Sequence, residues 1–417
     1  MKTTENTTRV VLWCVAVAFV IGLGVSTVYR SGPHDLFGVT WGSKVHRTDF
    51  TVYQEAGRAA LNGGDIYNAP NPRGWLFMYL PVCAAAMAPF ALLSVFWASL
   101  IWYLLSVAAV AHAVWISVKL ARRFWPEHKI PDHWLCAIVF LLVLWPTMSG
   151  LARGQASLFI SYFAIVSVWF YMQRKEWLAG LCLAGSIVLK VFPVLFLFYF
   201  IVKRRWLMAA ATCVWLFVLV IAAPSAVFGI RGNYELLRQW VTTVAMPANN
   251  PDQAAQNARY KDMIDPRIAY NQSVQAATIR CLAGRNQASA VPSFEPVARY
   301  VALGINLCLC IATALACWRG TAEVEKRRTV LQLSCVAMVM LFLAPVAWVH
   351  NYSLFILPLA LALAAAFSDG EHARRMRIGL GAFAAGTLLS TVPMLNTLGI
   401  FLVGAIVLWA MFLQIIE

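Results

Sequence analysis

Charge is what this 417-residue chain has least of: Asp, Glu, Lys and Arg together make up 12% of it, about half the share of an ordinary soluble domain. Set against 61% hydrophobic residues, that scarcity excludes a soluble globular protein, a disordered chain and a collagen. Regular alternation of apolar and polar residues is also lacking, which excludes a closed outer-membrane barrel. What recurs from end to end is an unbroken apolar run of about twenty residues, the length a helix needs to cross a bilayer. The expected fold is an all-α polytopic integral membrane protein, with residues 1–417 as a single domain.

Acidic residues are the scarcer sign, 18 against 33 Lys and Arg, for a net charge of +15. In a soluble protein such an excess points to nucleic acid. Here it reads as an orientation signal, because basic residues gather in short cytoplasmic loops and meet anionic headgroups of the membrane lipids, and no nucleic-acid partner is expected. The ten cysteines show no metal-like spacing, and most sit inside apolar runs as small buried hydrophobes. The first run, Val10 to Tyr29, has no small-residue cleavage pattern after it, so it reads as a first span and not as a signal peptide.

The basic clusters Lys119 to Lys129, Arg174 with Lys175, Lys203 to Arg205, Arg319 to Arg328 and Arg374 to Arg377 are all expected inside the cell. Two segments follow from that demand. Leu76 to Leu92, interrupted by Pro81 and Pro89, should lie along the outer face as a juxtamembrane helix. Trp177 to Val202, with basic residues at both ends, should turn back as a hairpin whose tip is Lys190-Val191-Phe192-Pro193. The layout predicts roughly 12 membrane helices, both termini cytoplasmic, and polar external loops at 30–92 and 229–296. In the second loop Arg231, Arg238, Arg259, Lys261, Arg267, Arg280 and Arg285 alternate with acidic residues, the pattern of a solvated lid.

Several residues on the outer side could carry chemistry. Asp49 follows the first span and precedes aromatic residues at helical spacing; its bland role is an N-cap. Asp35 and Asp65 are rivals, although the Asn62-Gly63-Gly64-Asp65 turn gives the second carboxylate a backbone use. Lys190, a lone cation at the tip of an apolar hairpin, costs about 2.5–3.5 kcal/mol to place at a span centre, which marks it as functional rather than as a snorkelling side chain. Arg153 and Gln155 occupy a turn at the same face. His350 sits at the outer end of a span beside Trp348. Asn271, Gln272 and Ser273 either bind a polar ligand or cap the helix that follows.

These residues occur in a familiar order: Asp49 with Tyr53 and Ala56; Gly64 and Tyr67; Tyr79-Leu80-Pro81 with Pro89-Phe90; Arg153-Gly154-Gln155; Leu189-Lys190 with Pro193 before Lys203-Arg204-Arg205-Trp206; Asn271-Gln272-Ser273; and Trp348-Val349-His350-Asn351-Tyr352. Over most of its length the chain resembles glycosyltransferase family 87, membrane enzymes of the multi-span C class (GT-C type bundle) that use polyprenyl phosphate sugars. The family often has a proline pair or a similar turn where this chain has Leu80-Pro81. The resemblance implies an inverting transfer with Asp49 as base. It also implies a hexose, most plausibly mannose, moving from a polyprenyl phosphate donor to a glycolipid or polysaccharide acceptor at the outer face of the plasma membrane.

The chemistry of the residues is compatible with that. An acceptor hydroxyl must lose its proton as it attacks, and one carboxylate suffices; retention would want a second about 5 Å away. Lys190, with Arg153 and His350, would meet the donor phosphate, while Tyr53, Tyr67, Tyr79, Gln155, Asn271 and Gln272 would line the substrate pocket. There is no Gly-rich phosphate loop and no Asp-x-Asp pair for a metal-bound nucleotide sugar, so a lipid-linked donor is expected, with no metal and no cofactor. The rival reading is a flippase or transporter of lipid-linked sugars, which would want several ionisable groups deep within spans.

Overall fold

A computed structural model describes residues 2–36, 39–43, 48–249, 268–283, 295–318 and 326–416. His46, Arg47, Arg259, Lys261, Arg267, Arg285 and Arg319 lie outside the described residues. The described chain is all-α apart from one antiparallel ribbon, β1 (His34–Leu36) against β2 (Val39–Trp41), with His34 opposite Trp41. The helices are α1 (Lys2–Arg30), α2 (Phe50–Leu61), α3 (Pro81–Ala91), α4 (Val95–Phe124), α5 (Asp132–Leu142), α6 (Leu144–Arg153), α7 (Ser157–Met172), α8 (Glu176–Leu189), α9 (Val194–Val202) and α10 (Trp206–Phe217). A π-turn joins α10 to α11 (Ala223–Phe228), followed by α12 (Ile230–Trp240), α13 (Met246–Asn249), α14 (Val274–Ala283), α15 (Glu295–Trp318) and α16 (Lys326–Leu343). A 3-10 turn, Val349–Phe355, then leads into α17 (Ile356–Ala366), α18 (Glu371–Leu389), α19 (Pro393–Thr397) and α20 (Ile400–Ile416).

Four of these stretches are long and apolar enough to cross a membrane: Val95–Phe124, Trp206–Phe228, Val297–Trp318 and Val349–Ala366. The pair α5 and α6, bent by 65°, makes a fifth if it is one span. The larger number expected from the apolar runs also counts shorter apolar helices, among them Cys14–Arg30, Ser157–Met172, Glu176–Leu189 and Ile400–Ile416. Within Leu76 to Leu92, only Pro81–Ala91 is helical. Proline favours the first turn of a helix and disfavours helical backbone in the residue before it, which explains why Leu80 is extended and the helix starts at Pro81.

The basic clusters share one end of the molecule. The Arg327 guanidinium lies 4.3 Å from the Trp125 ring centroid, Lys129 pairs with Asp369 at 2.8 Å, Lys203 and Arg328 both act on Cys317, and Arg375 donates to the Gln414 carbonyl near the chain's end. α4 begins at the other end, where Trp102 donates to the Gly154 carbonyl at 3.0 Å. From Trp102 to Trp125 the helix carries the chain about 35 Å, so these basic groups and the Arg153-Gly154-Gln155 turn are separated by the length of a span.

α8 stops at Lys190, whose backbone is extended, and the chain turns through Val191, Phe192 and Pro193 into α9. Phe200 near the end of α9 packs against Tyr171, with ring centroids 4.7 Å apart, and Arg205 acts on that same tyrosine together with Glu176 at the start of α8. The two short helices therefore begin and finish near the same level, with Lys190 at the turn. The main core runs through α4, α7, α16, α17 and α20. A second, smaller core of Phe50, Tyr53, Ala56, Ile66, Tyr67, Phe77 and Met87 holds α2 against α3. Contact there is close: a Cβ on Gly57 would lie 2.6 Å from the Met87 carbonyl oxygen.

Candidate active site

Asp49 occupies the N-cap position of α2, yet its side chain makes no capping hydrogen bond. The carboxylate instead accepts a hydrogen bond from the Gln155 side-chain amide, and the Asp49 backbone N–H donates to the Arg153 carbonyl at 2.7 Å. Between Arg153 and Gln155 the chain turns through Gly154, at φ 64°, a left-handed conformation glycine adopts without penalty. A Cβ there would also strike Phe50 Cβ at 2.7 Å. This turn therefore sets α6 directly on the start of α2, which brings the amide to the carboxylate and the guanidinium within electrostatic reach of it. Burial pushes the Asp49 carboxyl up to about 6, and the Arg153 charge, the Gln155 hydrogen bond and the Arg73 charge only partly offset it.

Behind the carboxylate lies a line of polar contacts. The Tyr53 hydroxyl meets Gln155 Oε1 at 3.5 Å and the Tyr79 hydroxyl at 3.2 Å. Burial raises the Tyr79 phenol to about 12, so it stays protonated. Tyr67 is wholly buried and donates to the Tyr79 carbonyl at 3.0 Å, bracing the segment that carries Tyr79. Asp65 is occupied in its turn, accepting from the Tyr67 backbone at 2.8 Å and from Gln239.

In front, the Arg153 guanidinium lies 5.2 Å from the Trp348 ring centroid and 5.7 Å from that of Tyr270. Trp348 stacks on His350, 6.2 Å between centroids and 13° between planes. His350 in turn feels the charges of both Lys190 and Arg153. The Lys190 ammonium donates to Asn351 Oδ1 at 3.3 Å, and the contact of Cys83 Sγ with the Val188 carbonyl at 3.9 Å ties α3 to the end of α8. Asp49, Arg153, Gln155, Trp348 and His350 are thus joined by a run of contacts, which Lys190 enters through Asn351, at the end of the molecule away from the basic clusters.

Asn271 adjoins that run through its backbone, but its side chain and that of Gln272 are engaged elsewhere. Asn271 Oδ1 accepts from the backbone N–H groups of Ser273 and Ala347, and its backbone pairs with Trp348 as an isolated bridge. Gln272 is fully buried, with its amide donating to Ala269 and to both oxygens of Asn396. The two side chains fasten the entry of α14 to the residues that follow α16 and to α19. Arg280 assists, donating to the Thr397 and Asn271 carbonyls. Nothing in the residue pattern marks Arg73 or Tyr270 as a neighbour of the site, and the Trp348 to Tyr352 motif contains Asn351 without disclosing that it meets Lys190, since each reaches the site through contacts between distant segments. The Asp35 side chain lies outside the described residues. Among the described residues, no three His, Cys, Asp or Glu side chains gather as a metal site would require.

The model of glycosyltransferase family 87 matches residues 77–345, so Asp49 and His350 fall on either side of the matched stretch. A relative from Mycolicibacterium smegmatis, a polyprenol-phosphate-mannose-dependent alpha-(1-2)-phosphatidylinositol mannoside mannosyltransferase, is 28% identical over 79% of this chain and 73% of its own. A protein of the same description from Mycobacterium tuberculosis is 25% identical over 92% of this chain and 83% of its own. With nearly two thirds of its length matched by the family model, the chain belongs to glycosyltransferase family 87 and is a membrane glycosyltransferase.

Proposed function

We propose that the chain is a mannosyltransferase of the plasma membrane that takes mannose from a polyprenyl monophosphate carrier. It passes the sugar, with inversion, to a hydroxyl of a glycolipid or polysaccharide acceptor on the face opposite the cytosol. The single observation that carries this reading is the run of contacts from Asp49 through Arg153, Trp348 and His350 and on through the adjoining Asn351 to Lys190. It puts one carboxylate and the two cations Arg153 and Lys190 at one end of the bundle. The names of the two relatives supply the sugar, the carrier and the glycolipid class of the acceptor.

In the reaction the acceptor oxygen attacks the anomeric carbon and gives its proton to Asp49. The bond from that carbon to the phosphate oxygen breaks, and its electron pair leaves on the phosphate. Lys190 and Arg153 meet that growing negative charge as fixed cations, which act most strongly in a poorly hydrated site, with the His350 imidazole beside them as a hydrogen-bonding group. Among the described residues the charged groups acting on Asp49 are Arg153 and Arg73, with no second carboxylate among them, and this favours inversion over a glycosyl-enzyme intermediate. The basic end faces the cytosol under the positive-inside rule, with both termini there, and the loops 30–92 and 229–296 form the lid of a single domain. The roughly 12 membrane helices of this layout include the short pair α8 and α9, and α3 lies along the outer interface.

The test is transfer of labelled mannose from a polyprenyl phosphate donor by purified protein in liposomes. Wild type consumes donor, and Asp49→Asn does not. Full transfer by that variant removes Asp49 as the base, and donor that crosses the bilayer without being consumed makes the protein a flippase.

A further inference from the structure

We propose that Asn351 is a direct ligand of the donor phosphate, donating its side-chain amide to an oxygen that Lys190 also holds. The inference rests on the phosphate reading of Lys190 given above and adds a residue to it.

Asn351 lies in the 3-10 turn Val349–Phe355 and is 2% exposed. Its carbonyl oxygen accepts from the Lys190 ammonium at 3.3 Å. An ammonium donates only, so the amide must present its oxygen to Lys190, and that choice turns the NH2 group away. There the amide nitrogen is buried with no hydrogen-bond partner among the described residues, and so is Nδ1 of the adjoining His350. A buried donor left unpaired is costly and rare in a native protein. It identifies a ligand atom that accepts hydrogen bonds and donates none. Beside a lysine that keeps N–H donors to spare, the matching chemistry is an anionic oxygen. A sugar hydroxyl matches less well, since it would bring its own donor toward the ammonium.

The neutral amide also does what a second acid could not. It anchors the ammonium through its oxygen without cancelling the positive charge, so Lys190 stays available to the phosphate. Asn351→Asp would place a carboxylate in that position, pair with Lys190, and repel the incoming anion.

The experiment measures inhibition of mannosyl transfer by a short polyprenyl monophosphate and by the polyprenol of the same length, which lacks the phosphate. The ratio, the inhibition constant of the polyprenol divided by that of the monophosphate, isolates phosphate recognition from lipid recognition. Asn351→Ala should reduce the ratio about tenfold, the worth of one hydrogen bond to a charged group, and Asn351→Asp should reduce it further. Lys190→Met serves as the reference and should collapse it. If Asn351→Ala keeps the wild-type ratio while Lys190→Met loses it, the inference is overturned and the site reading stands. If neither variant changes the ratio, the phosphate site lies elsewhere and both fall. Should the alanine variant fail to give monodisperse protein, Asn351→Ser, still small and polar, carries the same comparison: a ratio below wild type supports the inference and an unchanged one overturns it.

Discussion

Gln155 holds the carboxylate of Asp49 by a side-chain hydrogen bond from 106 residues away along the chain, while its own oxygen faces the Tyr53 hydroxyl. The amide is therefore oriented from both sides. It donates to the charged form of the acid, which stabilises that form and restrains the upward shift that burial imposes.

Removing that donor should move the pH dependence in a defined direction. Without the hydrogen bond the Asp49 carboxyl rises further above about 6, so the base holds its proton to higher pH. Gln155→Leu should shift the acid limb of kcat against pH to the alkaline side, with a rate loss greater at pH 5.5 than at pH 8. An unshifted limb, with an equal loss at both values, would show that the amide acts on substrate and leaves the base untouched.

The turn that joins the two residues leaves no room for a side chain. Gly154→Ala places a β-branch-free but real Cβ at φ 64° and 2.7 Å from Phe50 Cβ. The left-handed backbone alone costs about 1–2 kcal/mol, and the clash must be relieved by moving α2. Transfer should fall together with the thermal midpoint. Gly63→Ala, also at positive φ but with open space around it, should cost stability and spare the rate.

Asn271 and Gln272 should separate from the site when their effects are measured. Gln272→Ala removes a buried amide bonded to Ala269 and Asn396, a loss of about 1–3 kcal/mol when partners are left unsatisfied. The thermal midpoint should drop while the KM for donor in the remaining folded protein stays near wild type. A raised KM at unchanged stability would return Gln272 to the sugar pocket.

What could be read in advance divides along physical lines. Apolar runs fix helices locally, which is why α4, α15 and α17 were legible, and Pro193 beside Lys190 announced the break between α8 and α9. Asp49 stood out because acids are scarce and it is the one followed by an aromatic helix. Tyr67, Asn271 and Gln272 carry the residue types of a sugar pocket, yet the fold uses them as braces. Residue type alone does not tell a polar group that meets a ligand from one that satisfies buried backbone. The difference lies in which distant segment arrives beside it: Tyr79 for Tyr67, Ala347 for Asn271, Asn396 for Gln272. Arg73 is silent in the sequence for the same reason, and Asn351, although it stands in the motif with His350, does not disclose there that it meets Lys190.

The carboxylate at the centre of the site should cost the protein stability, and the sign of its pH dependence checks this. The Asp49 carboxyl moves from 3.8 to about 6 on folding. Between those values the folded chain binds more protons than the unfolded one, so the stability it contributes is fully present below 3.8 and is lost as pH rises through about 6. Above that pH the protein buries an ionised acid whose partners only partly offset its lost hydration. Asp49→Asn keeps the shape and never ionises. At pH 8 it should therefore unfold at a higher temperature than wild type, and the gap should close as pH falls toward 4. Transfer should drop about 10²–10⁴-fold, the contribution of a positioned base. A variant that is inactive and less stable than wild type at pH 8 would mean that the ionised carboxylate holds the Arg153 turn in place, and loss of activity would then no longer identify it as the base.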